Sequence, residues 1–218
     1  MRLEGKAKIG FYPTPPKTLE LIPAWLALSG PGLRRYFDPC AGEAEALAAI
    51  AAARGPAETY GIELSDTRAA IAKERLNFVL NTGYEYAVLT DETFSLVLLN
   101  PPYDGETETG AGARLEEVFL VNTTSRLVPG GVLIYLIPHR QLANDRIARH
   151  LLGWYADLRC FSLPGDEYEV FKQVVVFGSR RPDYKAPTGE AMREVMDGWA
   201  TAQVVTGYVE GAQVVDGQ

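Results

Sequence analysis

The chain is poor in the residues that cross-link or metallate small proteins. Its 218 residues include two cysteines, Cys40 and Cys160, and two histidines. Two cysteines cannot build a disulfide framework, and neither stands in a spacing that the histidines complete, so no metal site is expected. A reducing, cytoplasmic setting is the expectation from that cysteine usage. An excess of positive charge is also missing: 21 Lys and Arg against 28 Asp and Glu give a net charge of −7. Proteins that grip nucleic acid by phosphate neutralisation are usually basic, so any such grip here is local or supplied by a partner. No apolar run reaches membrane-spanning length, and residues 1–16 (MRLEGKAKIGFYPTPP) lack the apolar core of a signal peptide. Repeats and low-complexity tracts are absent too.

What is present is an ordinary globular composition, 47% apolar and 22% charged, at a length that fits one domain. The 21 glycines and 14 prolines fall between apolar runs, where turns belong. The pattern predicts helices over 18–28, 43–54, 67–80 (capped by Ser65), 115–127 and 144–154. It predicts strands over 34–37, 58–64, 84–89, 94–99, 132–137, 157–163 and 173–177. The unbroken apolar runs FSLVLL and VLIYLI mark strands covered on both faces. Pro129-Gly130-Gly131 reads as the end of the fourth of these helices.

This alternation predicts an α/β fold, a doubly wound Rossmann-like sheet of seven mostly parallel strands. The last two strands, joined without a helix, are expected to give an antiparallel edge. Residues 1–182 form this domain. Residues 183–218 form a short appendage, with a helix over 188–200 and a hairpin of 204–208 with 213–215, too short for a core of its own.

Ligands of such sheets bind beyond the carboxyl ends of the strands. Asn100-Pro101-Pro102-Tyr103 follow the most apolar strand. Two prolines stiffen the backbone and remove two donors, so carbonyls are left to accept from a ligand. Asn100 adds a side-chain acceptor, and Tyr103 a flat face with a polar tip. Such a corner suits a planar group bearing NH2: two acceptors hold the amine hydrogens and turn the nitrogen lone pair out of conjugation. Residues 37–43 (FDPCAGE) close the first strand, and Gly42 lets the backbone approach a ligand. This is not the dinucleotide G-x-G-x-x-G signature. Glu63 stands at the end of the second strand, where an acid can bind both hydroxyls of a ribose.

These elements together resemble the class I S-adenosylmethionine-dependent methyltransferases, and within them the amino-methyltransferases of the adenine-N6 type, over residues 8–180. The NPPY turn, the DPCAGE loop and the FYPTP arm (11–15) carry the likeness; Ala44 stands where the family has a later glycine. The resemblance implies a catalytic turn of Asn100, Pro101, Pro102 and Tyr103. It implies an S-adenosyl-L-methionine cradle of Asp38, Pro39, Ala41, Gly42, Glu63 and Leu64, bordered by Asn100, with Asp38 at the methionine end. Tyr12, Thr14 and Pro15 would cover the methionine portion. For the cofactor adenine, Tyr84 and Glu85 both remain open. Phe171 would stack on the substrate opposite Tyr103.

The activity so implied is methyl transfer to the N6 amine of adenine in nucleic acid, DNA ahead of RNA, with the base flipped out of a duplex. Alternatives are an RNA guanine amine, a protein glutamine amide, or a non-catalytic subunit of this fold. A second copy or a partner subunit would serve target recognition. Arg140, Arg146, Arg149, Lys172, Arg180, Arg181 and Lys185 are candidate phosphate contacts, whereas the acidic loop 104–113 suits a phosphate groove poorly.

Overall fold

The computed structural model describes residues 13–28, 34–102, 114–200 and 216–217. Seven strands form one sheet: β1 (Arg34–Asp38), β2 (Ala57–Ile62), β3 (Phe78–Leu80), β4 (Phe94–Leu99), β5 (Leu127–Pro138), β6 (Tyr155–Ser162) and β7 (Gln173–Arg180). Their spatial order is β3-β2-β1-β4-β5-β7-β6. β3, β2, β1, β4 and β5 are parallel neighbours. β7 runs antiparallel to β5 on one side and β6 on the other, so the reversed strand lies one place in from the edge.

Among the described residues, seven α-helices accompany the sheet: α1 (Pro16–Ala24), α2 (Glu45–Arg54), α3 (Asp66–Arg75), α4 (Leu115–Thr124), α5 (Asp145–Trp154), α6 (Gly165–Phe171) and α7 (Gly189–Ala200). Alternate residues of the central strands feed two cores. Tyr36, Leu96, Leu98 and Ile134 pack with Ile22, Leu47 and Ile50 on one face. Phe37, Val97, Leu99 and Tyr135 pack with Leu120, Ile147 and Leu151 on the other. Both faces of β4 and β5 are therefore dry, as their unbroken apolar runs require. The appendage joins the second core through Met192 and Trp199 of α7. The expected hairpin of 204–208 with 213–215 lies outside the described residues.

Local differences from the sequence pattern have physical causes. α1 begins at Pro16, not residue 18, because a proline in the first turn forfeits no helical hydrogen bond. α3 stops at Arg75 because Asn77 is fastened to β2: its amide oxygen accepts from Thr59 N (2.9 Å) and Oγ1 (2.9 Å). Residues 78–80 then extend as β3, and the strand expected at 84–89 is instead a 3-10 turn over Tyr84–Tyr86. Ser65 makes no side-chain cap; its N–H is claimed by Glu63. Pro129-Gly130-Gly131 does not end a helix but lies inside β5, where a shift of register against β4 accommodates it. β6 and β7 are joined by α6, which opens on Gly165 in a left-handed conformation.

Candidate active site

The carboxyl ends of the parallel strands gather most of the expected residues. Beyond Asp38, residues 39–44 turn back into α2. Ala41 N–H donates to the Ile62 carbonyl at 2.8 Å, and Ala44 N–H to the Ala41 carbonyl at 2.7 Å. Gly42 (φ 57°) and Ala44 (φ 62°) are both left-handed. Glycine adopts this freely; Ala44 carries strain of about 1 kcal/mol. Gly61 lets the loop lie on β2, since a Cβ there would stand 3.0 Å from that of Ala41 and 2.8 Å from Leu76 Cδ1.

Glu63 is the hub of this loop. Its side chain is buried, Oε2 accepting from Gly42 N–H at 2.9 Å and Oε1 from Ser65 N–H at 2.8 Å. The Arg68 guanidinium donates to Oε1 at 2.7 and 3.0 Å. Oε2 thus accepts one bond among the described residues and has capacity for a hydroxyl. Leu64, next to it, is 62% exposed. Asp38 is buried and accepts from Cys40 N–H at 2.9 Å. Burial, opposed by that hydrogen bond and reinforced by the Glu63 charge, pushes its carboxyl up to about 7.

The turn that leaves β4 is tied to this loop. Burial holds the Cys40 thiol well above its ordinary value, so it stays a neutral donor, and Sγ bonds the Asn100 carbonyl at 3.3 Å. Asn100 Nδ2 donates to Thr14 Oγ1 at 3.4 Å. Pro39, Pro15 and Pro101 are buried, and Pro102 is half-buried. Asp38, Ala41, Gly42, Glu63, Asn100 and Thr14 are thereby brought into one neighbourhood. Tyr12, Tyr103 and the loop 104–113 lie outside the described residues.

Glu167 of α6, which sequence pattern did not single out, fastens the N-terminal segment across the site. It is buried, and its carboxylate accepts from Lys17 N (2.8 Å), Thr18 N (2.9 Å) and Thr18 Oγ1 (2.7 Å). It thus caps α1 from a position 150 residues away. Lys17 also pairs with Asp166 at 2.5 Å. Replacing Glu167 with alanine strands these donors and is expected to cost about 2–3 kcal/mol, roughly a 6 °C fall in melting temperature. Calorimetric melting checks it; an unchanged transition would mean that the cap is dispensable.

Phe171, at the end of α6, is 37% exposed and lines a cleft of about 790 Å³ together with Pro138, His139 and Arg140. The two residues left open for the cofactor adenine differ in setting. Tyr84 Oη donates to the Asn122 carbonyl at 3.0 Å, and its ring lies 5.3 Å from Phe119. Glu85 is exposed, with its carboxylate folded over Gly83. Among the candidate phosphate contacts, Arg180 is buried and held by Glu92 and the Leu127 carbonyl. Because β7 is antiparallel, Arg180 and Arg181 emerge at the end of the sheet opposite the site, and Lys185 follows them there, its N–H on the Gly153 carbonyl. These three therefore lie away from the Asn100 turn. Arg146 and Arg149 pair with Glu117 and Asp145.

The fold recurs widely. A Listeria monocytogenes protein assigned to the class I S-adenosylmethionine-dependent methyltransferases superposes with a TM-score of 0.66 at 14% identity, over 90% of this chain and 74% of its own. An Agrobacterium tumefaciens protein assigned as an O-methyltransferase gives 0.54 at 20% identity, over 86% and 99%. The tRNA (m1A58) methyltransferase of Aquifex aeolicus gives 0.51 at 16%, over 83% and 76%. No functionally curated protein matches the sequence. The fold is thus the Rossmann-like fold of class I methyltransferases. Residues 1–212 match the family described as "Uncharacterised methyltransferase family (DUF6094)", and the chain belongs to that family.

Proposed function

We propose that this methyltransferase uses S-adenosyl-L-methionine and modifies the exocyclic N6 amine of adenine in nucleic acid. The observation that carries the reading is the seating of the Asn100-Pro101-Pro102 turn. It leaves a buried parallel strand and is tied through Cys40 Sγ to the loop that bears Asp38 and Gly42. The cradle fits the cofactor chemically. Glu63 Oε2 has acceptor capacity for a ribose hydroxyl, and the buried Asp38 carboxyl, short of positive partners, suits an ammonium. When bound, S-adenosylmethionine supplies a methyl group on a positively charged sulfur.

The chain's own residues do the rest. The Asn100 side-chain oxygen and the Pro101 carbonyl accept the two amine hydrogens, which localises the nitrogen lone pair and aims it. Phe171 and Tyr103 hold the ring. The amine proton leaves to water after transfer, and most of the acceleration comes from positioning and fixed dipoles. DNA is preferred to RNA because the FYPTP arm resembles that of DNA-directed relatives. A structural neighbour that acts on tRNA shares the fold only.

Incubation with radiolabelled S-adenosylmethionine and DNA, RNA or cell lysate, followed by nucleoside mass spectrometry, tests the substrate. N6-methyladenine in DNA is expected. Label in protein, or in guanine of RNA, would overturn the adenine reading. For the cradle, Glu63→Gln should weaken S-adenosylhomocysteine binding at least about tenfold by titration calorimetry. An unchanged affinity would remove Glu63 from the site.

A further inference from the structure

The cleft beside Phe171 has walls from two different parts of the chain. One wall is the end of α6 and the start of β7, with Phe171 and Lys172; the other is α7, with Met196 and Trp199. His139, just past β5, joins them. Its Nε2 donates to the Trp199 carbonyl at 2.5 Å, and its Nδ1 shares a hydrogen bond with Tyr168 Oη at 2.7 Å. One imidazole thus ties α6 to α7. The cleft lies at the same end of the sheet as the Asn100 turn. Leu99 is in register with Tyr135, and Pro138 with Gln173, so Pro138 stands about 7 Å further along the strands than Asn100.

The lining chemistry is selective. In a chain of net charge −7, the described residues that line this cleft include Arg140 and Lys172 and no carboxylate. Lys172 pairs with Glu169 outside the cleft at 2.5 Å. Arg140 is exposed and makes no ion pair among the described residues. Phe171, Met196 and Trp199 supply flat and polarisable apolar surface. A cation flanking aromatic and thioether faces fits an aromatic ring that carries an anion.

Resting on the methyltransferase reading above, we propose that the cleft is a nucleotide subsite in which Arg140 binds the phosphate. Met196 of α7 packs against the base, and α7 acts as a specificity wall in place of a separate recognition domain. His139 is the positioning residue that keeps this wall in register with the catalytic turn.

The full-length protein saturated with S-adenosylhomocysteine is titrated with AMP and with adenosine, followed by calorimetry. AMP should bind the wild type at least fivefold tighter than adenosine, about 1 kcal/mol of preference. Arg140→Ala should abolish that preference. Met196→Ala should weaken both ligands about fivefold, and neither substitution should alter S-adenosylhomocysteine affinity. Equal affinities of wild type for AMP and adenosine, or an unchanged preference in Arg140→Ala, would overturn the phosphate assignment. Undiminished binding in Met196→Ala would overturn the role of α7. If S-adenosylhomocysteine itself fails to bind, the underlying methyltransferase reading falls, which is a separate and separately visible result.

Discussion

Replacing Asn100 with alanine should lower methyl transfer by at least about a thousandfold while cofactor affinity survives. The two halves of that expectation have different structural grounds. The turn is held by the Asn100 backbone carbonyl, which accepts from Cys40 Sγ at 3.3 Å, and by the rigidity of Pro101 and Pro102. Truncating the side chain leaves these in place. What is lost, on the proposed mechanism, is one of the two acceptors for the amine hydrogens, together with a long contact to Thr14 at 3.4 Å. Without that acceptor the amine lone pair stays conjugated with the ring, and the nucleophile is both weaker and misdirected. Transfer of labelled methyl groups and calorimetry with S-adenosylhomocysteine separate the two effects. Full activity in the variant would dismiss the turn as the catalytic element. An equal loss of cofactor affinity would assign Asn100 to the cofactor instead of the amine.

Cysteine 40 and Glu167 show why the site was only partly readable from the chain. The loop after β1, the acid after β2 and the turn after β4 stand next to strong local signals: apolar runs, a glycine and paired prolines. Position at a strand end is a sequence-local property, so those residues could be found. The bond from Cys40 to the Asn100 carbonyl joins residues 60 apart, and Glu167 caps a helix 150 positions away. Nothing in a lone cysteine, or in the acidic stretch Gly165–Phe171, announces such partners. The same reasoning applies to the fold. β4 was legible to the residue because both its faces are buried, and burial writes an unbroken apolar run. β3 was not, because Phe78 and Leu80 are half exposed and the helix before it is ended by a tertiary bond between Asn77 and Thr59 rather than by a local breaker. The Pro-Gly-Gly of β5 misled for the opposite reason: a strong local stop signal sits in an irregularity between the paired residues Leu127 and Val132, and the strand continues through it.

Asp38→Asn should make the ligand-free protein more stable at about pH 8 and yet poorer at binding its cofactor. Burial, with the Glu63 charge beside it, carries the wild-type carboxyl from 3.8 up to about 7 against the opposing bond from Cys40 N–H. A carboxyl raised in the folded state binds its proton more tightly there than in the unfolded chain. Its contribution to stability is therefore greatest below about 4 and is lost as pH rises through 7. The span of about three pH units corresponds to roughly 4 kcal/mol at most. Asparagine keeps the acceptor for Cys40 and removes the charge, so a gain of about 2–4 kcal/mol is expected at pH 8, shrinking towards zero near pH 4. A protein that retains such a cost at one position has a use for the charge. An ammonium seated beside Asp38 would favour the ionised form, so S-adenosylhomocysteine should bind the wild type more tightly as pH rises through about 7, with release of a proton. The variant should bind at least about tenfold more weakly at pH 8, and that pH dependence should vanish. Chemical denaturation and calorimetry across this range measure both quantities on the same samples. A variant that is no more stable at pH 8, or that keeps the wild-type pH dependence of binding, would take the methionine end of the cofactor away from Asp38.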